Sequence, residues 1–246
     1  MDRRLIEVSG EDALSFLQGL ATNDLRPLEA ADGIVHAALL SPQGKYLADF
    51  FVIRREGRLL LDMPEALAEA TLKRLAMYRL RAKVAFAPFA GAVTRGLGTP
   101  PAEALPDPRH PALGWRLYGP PQPEAAVDWD AIRVAHCIPE AGAELIPDDS
   151  YILEHGFERL HGVDFRKGCY VGQEVTARMK HKTELRKGLI RVAVNGAAPV
   201  GTPITDAQGR EVGRLFTQSG GFGLAHLRLD RLDGPLLAGT AEVRPA

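Results

Sequence analysis

One run of the chain, Lys167-Gly168-Cys169-Tyr170-Val171-Gly172-Gln173-Glu174-Val175 and on to Arg178, gathers residue types that do chemistry. A helix is predicted to begin near Gly172 and to pass through Val175 and Met179. Cys169 then stands just before a helix N-terminus, two residues from Lys167 and three from Arg166. Positive charge and unpaired backbone N–H groups both favour thiolate, the nucleophilic and metal-binding form of cysteine. Glu174, in the first helical turn, is well placed to accept hydrogen bonds from a ligand's amidine-like edge. Gly168 and Gly172 let the backbone turn tightly and let a ligand approach closely. A plainer reading stands beside this one. Cys169 is then a small inert hydrophobe, and Glu174 with Arg178 is an i,i+4 surface pair of roughly 0.2–0.5 kcal/mol.

Composition narrows what this segment can serve. Apolar residues make up 46% and charged residues 25% of the 246, an ordinary globular balance with room for one large domain or two modest ones. A formal net charge of −1 argues against a general nucleic-acid binder. No apolar run reaches the roughly 18–20 residues of a membrane span, and the first residues lack the apolar core of a secretory signal. Cytoplasmic residence is therefore expected. The two cysteines, Cys137 and Cys169, exclude a disulfide scaffold and cannot by themselves hold an iron–sulfur cluster, which takes about four thiolates. His136, His155, His161 and His181 are scattered without ligand spacing, so no metal site is expected. Charge is uneven: residues 159–191 hold nine bases against three acids, and Lys73, Arg74, Arg79, Arg81 and Lys83 lie in a stretch with no acid from 70 to 85. A polyanionic ligand or an acidic partner suits both stretches, as does mere solvation.

The elements that must position the segment read as β-α-β-β-β-α-β. Leu5–Val8 is a predicted strand, with Ser9 as N-cap and Asp12 as capping-box partner of a helix through Leu14, Phe16, Leu17 and Leu20. Ile34–Leu40 and Tyr46–Arg54 form a hairpin about Pro42–Lys45, and Leu59–Leu61 follows the Glu56-Gly57 turn. Pro64 opens a helix through Leu67, Leu72, Leu75 and Leu80, and Val84–Phe86 is a further strand. This order implies an α+β fold with an antiparallel sheet. The stretch from about 96 to 123, with eight prolines between 100 and 123, predicts irregular structure, relieved by an edge strand at Trp115–Tyr118. Asp128 or Asp130 starts a helix that ends near Pro139. After Gly188 come short β-prone runs (Leu189–Val194, Ile204-Thr205, Val212–Thr217, Phe222–Leu229, Ala241–Val243) separated by glycine turns, the texture of a small barrel or sandwich. The boundary is placed between 184 and 185.

Lys-Gly-Cys-Tyr-x-Gly-Gln-Glu, at 167–174, is the signature of the folate-binding YgfZ/GcvT-like family, which the chain resembles over most of its length. Gly10-Glu11-Asp12-Ala13, Phe16-Leu17-Gln18, Thr22-Asn23-Asp24, Leu40–Lys45 and Tyr78–Val84 are similar to the family too. Arg133–Glu140 resembles its Arg-x-x-x-Gly-Ile-Pro element, with Cys137 where glycine is usual. The resemblance implies ferredoxin-like α/β units of the aminomethyltransferase type around a folate pocket (residues 1–184), then a C-terminal β-barrel (185–246). It also implies a non-covalent tetrahydrofolate or one-carbon derivative and a role in assembling or repairing [4Fe–4S] clusters, notably in radical-type tRNA-modifying enzymes. Partners are then reduced folate and iron–sulfur client proteins or cluster-assembly factors, with neither membrane nor specific nucleic acid. The family's lysine and cysteine map onto Lys167 and Cys169, and Glu174 matches the pterin-contacting carboxylate of the aminomethyltransferase. Tyr170, Gly172, Gln173 and Arg178 join the cofactor site, and Asn23 and Asp24 are weaker candidates beside a capping or turn role.

Two other functions compete. In a true aminomethyl or methyl transferase an aspartate is expected after the strand at Leu59–Leu61, where only Asp62, Glu65 and Glu69 stand, and the turn-like setting of Asp62 suggests a structural role. An RNA-binding module would interleave aromatics with its bases, and the basic stretch offers only Phe165 and Tyr170.

Overall fold

A computed structural model describes residues 2–123, 125–182 and 185–246, with Lys182 by its backbone alone. Glu184, which marks the expected domain boundary, lies outside the described residues. By packing the chain divides into two compact units, Met1–Val127 with Glu158–Val175, and Asp128–Phe157 with Thr176–Ala246.

The first unit opens with β1 (Arg3–Ser9), α1 (Ala13–Gln18), α2 (Pro27–Ala30), β2 (Gly33–Leu40), β3 (Tyr46–Arg55), β4 (Arg58–Pro64), α3 (Glu65–Arg79) and β5 (Ala85–Pro88). The strands pair antiparallel in the order β2-β3-β4-β1-β5. Side chains alternate between the two faces of a strand, and here both faces are buried. Ile6, Phe50, Val52, Leu59, Leu61 and Met63 join the core shared with α1 and α3, whereas Leu5, Phe51, Ile53 and Leu60 pack with Tyr118 on the other face. Ser9 is not the expected cap. It ends β1, paired with Ala85, and α1 starts four residues on with Asp12 as N-cap, making no side-chain cap bond. Long-range pairing outweighs the local capping signal.

Three strands that follow, β6 (Ala92–Gly96), β7 (Leu105–Pro106) and β8 (Trp115–Gly119), form a second sheet in the order β6-β8-β7. Between 97 and 123 the regular pieces are β7, a 3-10 turn at Pro111–Leu113 and β8, and the expected edge position for Trp115–Tyr118 is corrected because β8 is central. Proline cannot donate to a ladder, and Pro106 sits in the short edge strand where no second neighbour needs its N–H. A buried charge network ties this sheet to β4. Asp62 lies within β4 rather than in a turn, and is fully buried. Its carboxylate accepts from Arg3 at 2.5 Å and from Arg116 and Tyr118 at 2.9 Å each. Asp107 accepts from the same Arg116 at 2.9 Å, and the Arg116 guanidinium lies 4.0 Å from the centroid of the Phe51 ring.

The second unit contains α4 (Trp129–His136), most of α5 (Gln173–Lys182) and the strands β9 (Lys187–Asn195), β10 (Thr202–Thr205), β11 (Glu211–Ser219), β12 (Phe222–Arg228), β13 (Leu236–Ala238) and β14 (Ala241–Pro245). The strands close into a barrel in the order β10-β11-β12-β9-β14-β13, which removes every sheet edge. Asp128 caps α4 as expected, accepting from the Ala131 N–H at 2.9 Å. The helix ends on Cys137, whose φ of 52° and ψ of 51° are left-handed. The backbone geometry that glycine usually supplies is therefore kept without glycine. Arg133 of α4 reaches Glu144 at 2.5 Å, and Glu144 in turn accepts from the Thr217 hydroxyl of β11 at 2.5 Å.

Because Arg116 is fully buried, Asp62→Ala leaves its guanidinium short of one counter-charge in a dry setting. Such losses cost about 3–5 kcal/mol. Equilibrium urea unfolding of the variant should show a drop of that order, and a change below about 1 kcal/mol would refute the account of the network.

Candidate functional site

The signature segment is held at three points within the first unit. Lys167 is buried, and its ammonium donates to the carbonyl of Gln18 at 2.6 Å and to that of Ala21. Gln18 closes α1, so the cation meets the carbonyl end of that helix, where positive charge is favoured. Burial draws the ammonium's pKa down to about 8 against the opposing pull of Asp24 and Asp164. The Tyr170 ring lies 5.1 Å from the same nitrogen. The ammonium is thus engaged by the chain's own carbonyls, which tie the start of the signature segment to α1.

Upstream, Thr22 and Asn23 form the second hold. The Thr22 hydroxyl donates to the Gly162 carbonyl at 2.6 Å and accepts from the Ala38 N–H at 2.8 Å. Asn23 donates to the carbonyls of His36 and His161 at 2.9 and 2.7 Å. Asp24 is turned to its neighbours. It accepts from Arg26 at 2.7 Å and from Gln18 at 2.9 Å, and the Arg26 hydrogen bonds hold its pKa at about 2. Asn23 and Asp24 therefore stitch the loop to β2 and α1. Gln18 was not anticipated as part of this framework, although it lies within a stretch similar to the family.

The third hold is a close approach of two backbones. Gly172 has φ +83°, and a Cβ there would stand 2.5 Å from the Ser41 carbonyl oxygen. Gly44 of the β2–β3 turn has φ +75°, and its Cβ would stand 2.8 Å from that of Val175. The turn and the start of α5 fit together only because both positions lack side chains. Gly172 serves this packing, whereas a Cβ at Gly168 would meet nothing within 4 Å. Gln173 opens α5 as expected, its side chain accepting from the Tyr170 N–H at 3.1 Å.

Between these holds Cys169 is exposed. Glu174, also exposed, lies in the first turn of α5. Arg178 is exposed further along the helix, in its second-unit part. A cavity of about 410 Å³ is lined by Asn23, Glu158, His161, Val163, Asp164, Phe165 and Arg166. Of the predicted cofactor residues only Asn23 borders it. Of the carboxylates that follow Leu59–Leu61, Asp62 lies in the buried network, Glu65 pairs with Arg4 and Glu69 pairs with Lys73 at the surface. No group of three or more His, Cys, Asp or Glu among the described residues is placed to hold a metal ion.

The fold resembles that of the glycine cleavage system aminomethyltransferase T from Bartonella henselae, with a TM-score of 0.76 at 14% identity over 98% of this chain and 81% of that one. An α+β body of the aminomethyltransferase type joined to a closed β-barrel is thus the class that the structure defines. Residues 186–246 match the family model described as "CAF17, C-terminal beta-barrel domain". The mitochondrial iron–sulfur cluster assembly factor IBA57 of Mus musculus is 33% identical over 98% of this chain and 79% of its own length. That of Homo sapiens is 32% identical over 95% and 78%. The chain belongs to the IBA57 family of iron–sulfur cluster assembly factors. These relatives are mitochondrial by name, which overturns the expectation of cytoplasmic residence. That expectation rested on missing apolar segments, which bear on membranes and secretion and not on the choice among aqueous compartments.

The lysine hold gives a pH signature. With a folded-state pKa of about 8 against the ordinary 10.5, the unfolded chain holds a proton in this window that the folded chain has released. Stability therefore rises with pH across it. Thermal melts of wild type and Lys167→Met at several pH values should show wild type gaining on the variant from about pH 8 upward, and a flat or falling difference would contradict a buried ammonium.

Proposed function

We propose that this chain is a folate-dependent member of its family, of the YgfZ-like kind, that supports the assembly or repair of [4Fe–4S] clusters in client enzymes, radical-type tRNA-modifying enzymes among them. The observation that carries the reading is the contrast within one loop. Lys167 and Gly172 are locked into the first unit on either side of Cys169, while the thiol between them is left to solvent. A scaffold that fixes the flanks of an exposed cysteine suits a group that touches a cluster or a client's thiol transiently and lets go.

Tetrahydrofolate or a one-carbon derivative would rest on the outer side of the loop and supply a reduced pterin with its one-carbon chemistry. Glu174 would accept hydrogen bonds from the pterin edge, Tyr170 would offer an aromatic face and Gln173 would hold the start of α5. Arg178 would meet the anionic glutamate tail. Asn23 and Asp24 contribute by shaping the loop. The family to which the chain belongs and the aminomethyltransferase-type fold both support this reading, and its partners would be reduced folate and cluster-assembly factors or client proteins.

Two variants separate the parts. Cys169→Ala should abolish complementation of cluster-enzyme activity in cells lacking the protein, while its melting temperature and tetrahydrofolate titration stay at wild-type values. Full complementation would make the thiol structural. Glu174→Ala should weaken tetrahydrofolate binding by about 1.5–3 kcal/mol, the range for hydrogen bonds to a charged group. Unchanged affinity in the fluorescence titration would move the folate elsewhere.

A further inference from the structure

Away from the signature loop, the outer face of α3 carries a feature that neither folate nor a cluster explains. Met77 and Leu80 are the most exposed large hydrophobic side chains among the described residues, at 70% and 89%. Met77 lies in the last turn of α3, opposite the face on which Ala68, Thr71 and Leu75 are buried, and Leu80 is the residue that follows the helix. Lys73, Arg74, Arg79, Arg81 and Lys83 occur in the same stretch, which holds no acid from 70 to 85, and Arg79 turns back to the Val84 carbonyl at 3.5 Å. Lys73 pairs with Glu69 and Lys83 with Glu11, whereas Arg74, Arg79 and Arg81 pair with no carboxylate among the described residues.

Leu80 is also held where leucine is costly. Its φ of 43° and ψ of −105°, with the Ala82 N–H donating to the Arg79 carbonyl at 2.7 Å, make it the first central residue of a type II′ turn. Glycine is the residue that suits this position. The turn is pinned from the other side. The Lys83 N–H donates to Asp12 at 2.8 Å, and the Lys83 carbonyl lies so close to Gly10 that a Cβ there would stand 1.9 Å from it. A strained, rigidly held turn thus presents an apolar side chain to water between two arginines. Single exposed leucines are commonplace. A leucine in a glycine position, three residues from a second exposed apolar side chain and within a stretch of bases that holds no acid, has the makings of an interface anchor with a charged rim.

We infer that the end of α3, centred on Leu80 and Met77, docks a partner protein through an apolar socket edged by carboxylates. Charge complementarity selects an acidic protein surface, and the two aliphatic side chains select a socket. RNA would call for stacking aromatics, and Tyr78, the aromatic of this turn, packs instead against the core. A bilayer would call for large apolar side chains along the whole face, and nearer the start of α3 the exposed positions are the small Ala66 and Ala70 and the charged Glu69 and Lys73.

The test uses the full chain with the photoreactive residue p-benzoylphenylalanine in place of exposed Ala76, irradiated in cells. The expected adduct is with a protein, through a peptide of net negative charge that contains apolar residues. Its yield should fall at least fivefold with Leu80→Gly and with Arg81→Glu. Leu80→Gly should melt at or above the wild-type temperature, because glycine relieves the turn. An adduct with RNA or lipid, a peptide without net negative charge, a yield indifferent to both substitutions, or no adduct would each overturn the proposal. So would a Leu80→Gly chain that melts below wild type, since the leucine would then serve the fold.

Discussion

An ammonium group taken out of water must find oxygen, and at Lys167 it finds the carbonyls of Gln18 and Ala21. Removing such a cation from solvent costs several kcal/mol before any compensation. Two charge-assisted hydrogen bonds and a nearby aromatic face offset that cost only in part, which is why the group gives up its proton more readily than an ordinary lysine. The constraint has a spatial result. The loop containing Cys169 cannot move away from α1 without breaking the hydrogen bonds from Lys167 to the carbonyls of Gln18 and Ala21, so its sulfur is presented from a tethered base. Gly172 imposes the matching constraint downstream, where two backbones meet with no room for a side chain.

The sheet beneath that loop is a second place where charge has been buried. Both faces of β3 and β4 are covered, one by helices and one by the small sheet of β6–β8. On the second face Asp62 and Asp107 share the guanidinium of Arg116, and Arg3, Arg109 and Arg116 all lie within 5.5 Å of the Phe51 ring centroid. A network of this kind specifies which sheet covers which face more than it adds net stability. It also holds the carboxylate of β4 in hydrogen bonds to three side chains inside the protein.

Much of this was legible from residue order, and the exceptions have physical causes. The strands β2 to β4 announced themselves as apolar runs bounded by turn residues, and α5 began where Gly172 foretold. Three-residue β13 and two-residue β7 are too short to show any period. Their pairing is decided by barrel closure and by β8. The contacts of Lys167 were hidden for a related reason. Its carbonyl acceptors lie 149 and 146 positions away along the chain. Spacing reports neighbours along a segment and is silent about which distant carbonyls will lie above it. Asn23 and Asp24 were ambiguous in sequence because the same short polar side chains serve turns and ligands alike.

Cys137 carries a practical consequence. It ends α4 in the left-handed region with its sulfur 3.4 Å from the Leu189 carbonyl, a conformation in which a residue without a Cβ is at ease. Glycine there would leave the protein with a single sulfhydryl. Any thiol-directed dye, spin label or mass tag would then read the signature loop alone, and the chain offers this one-site handle at a position that its own backbone already shapes for the exchange.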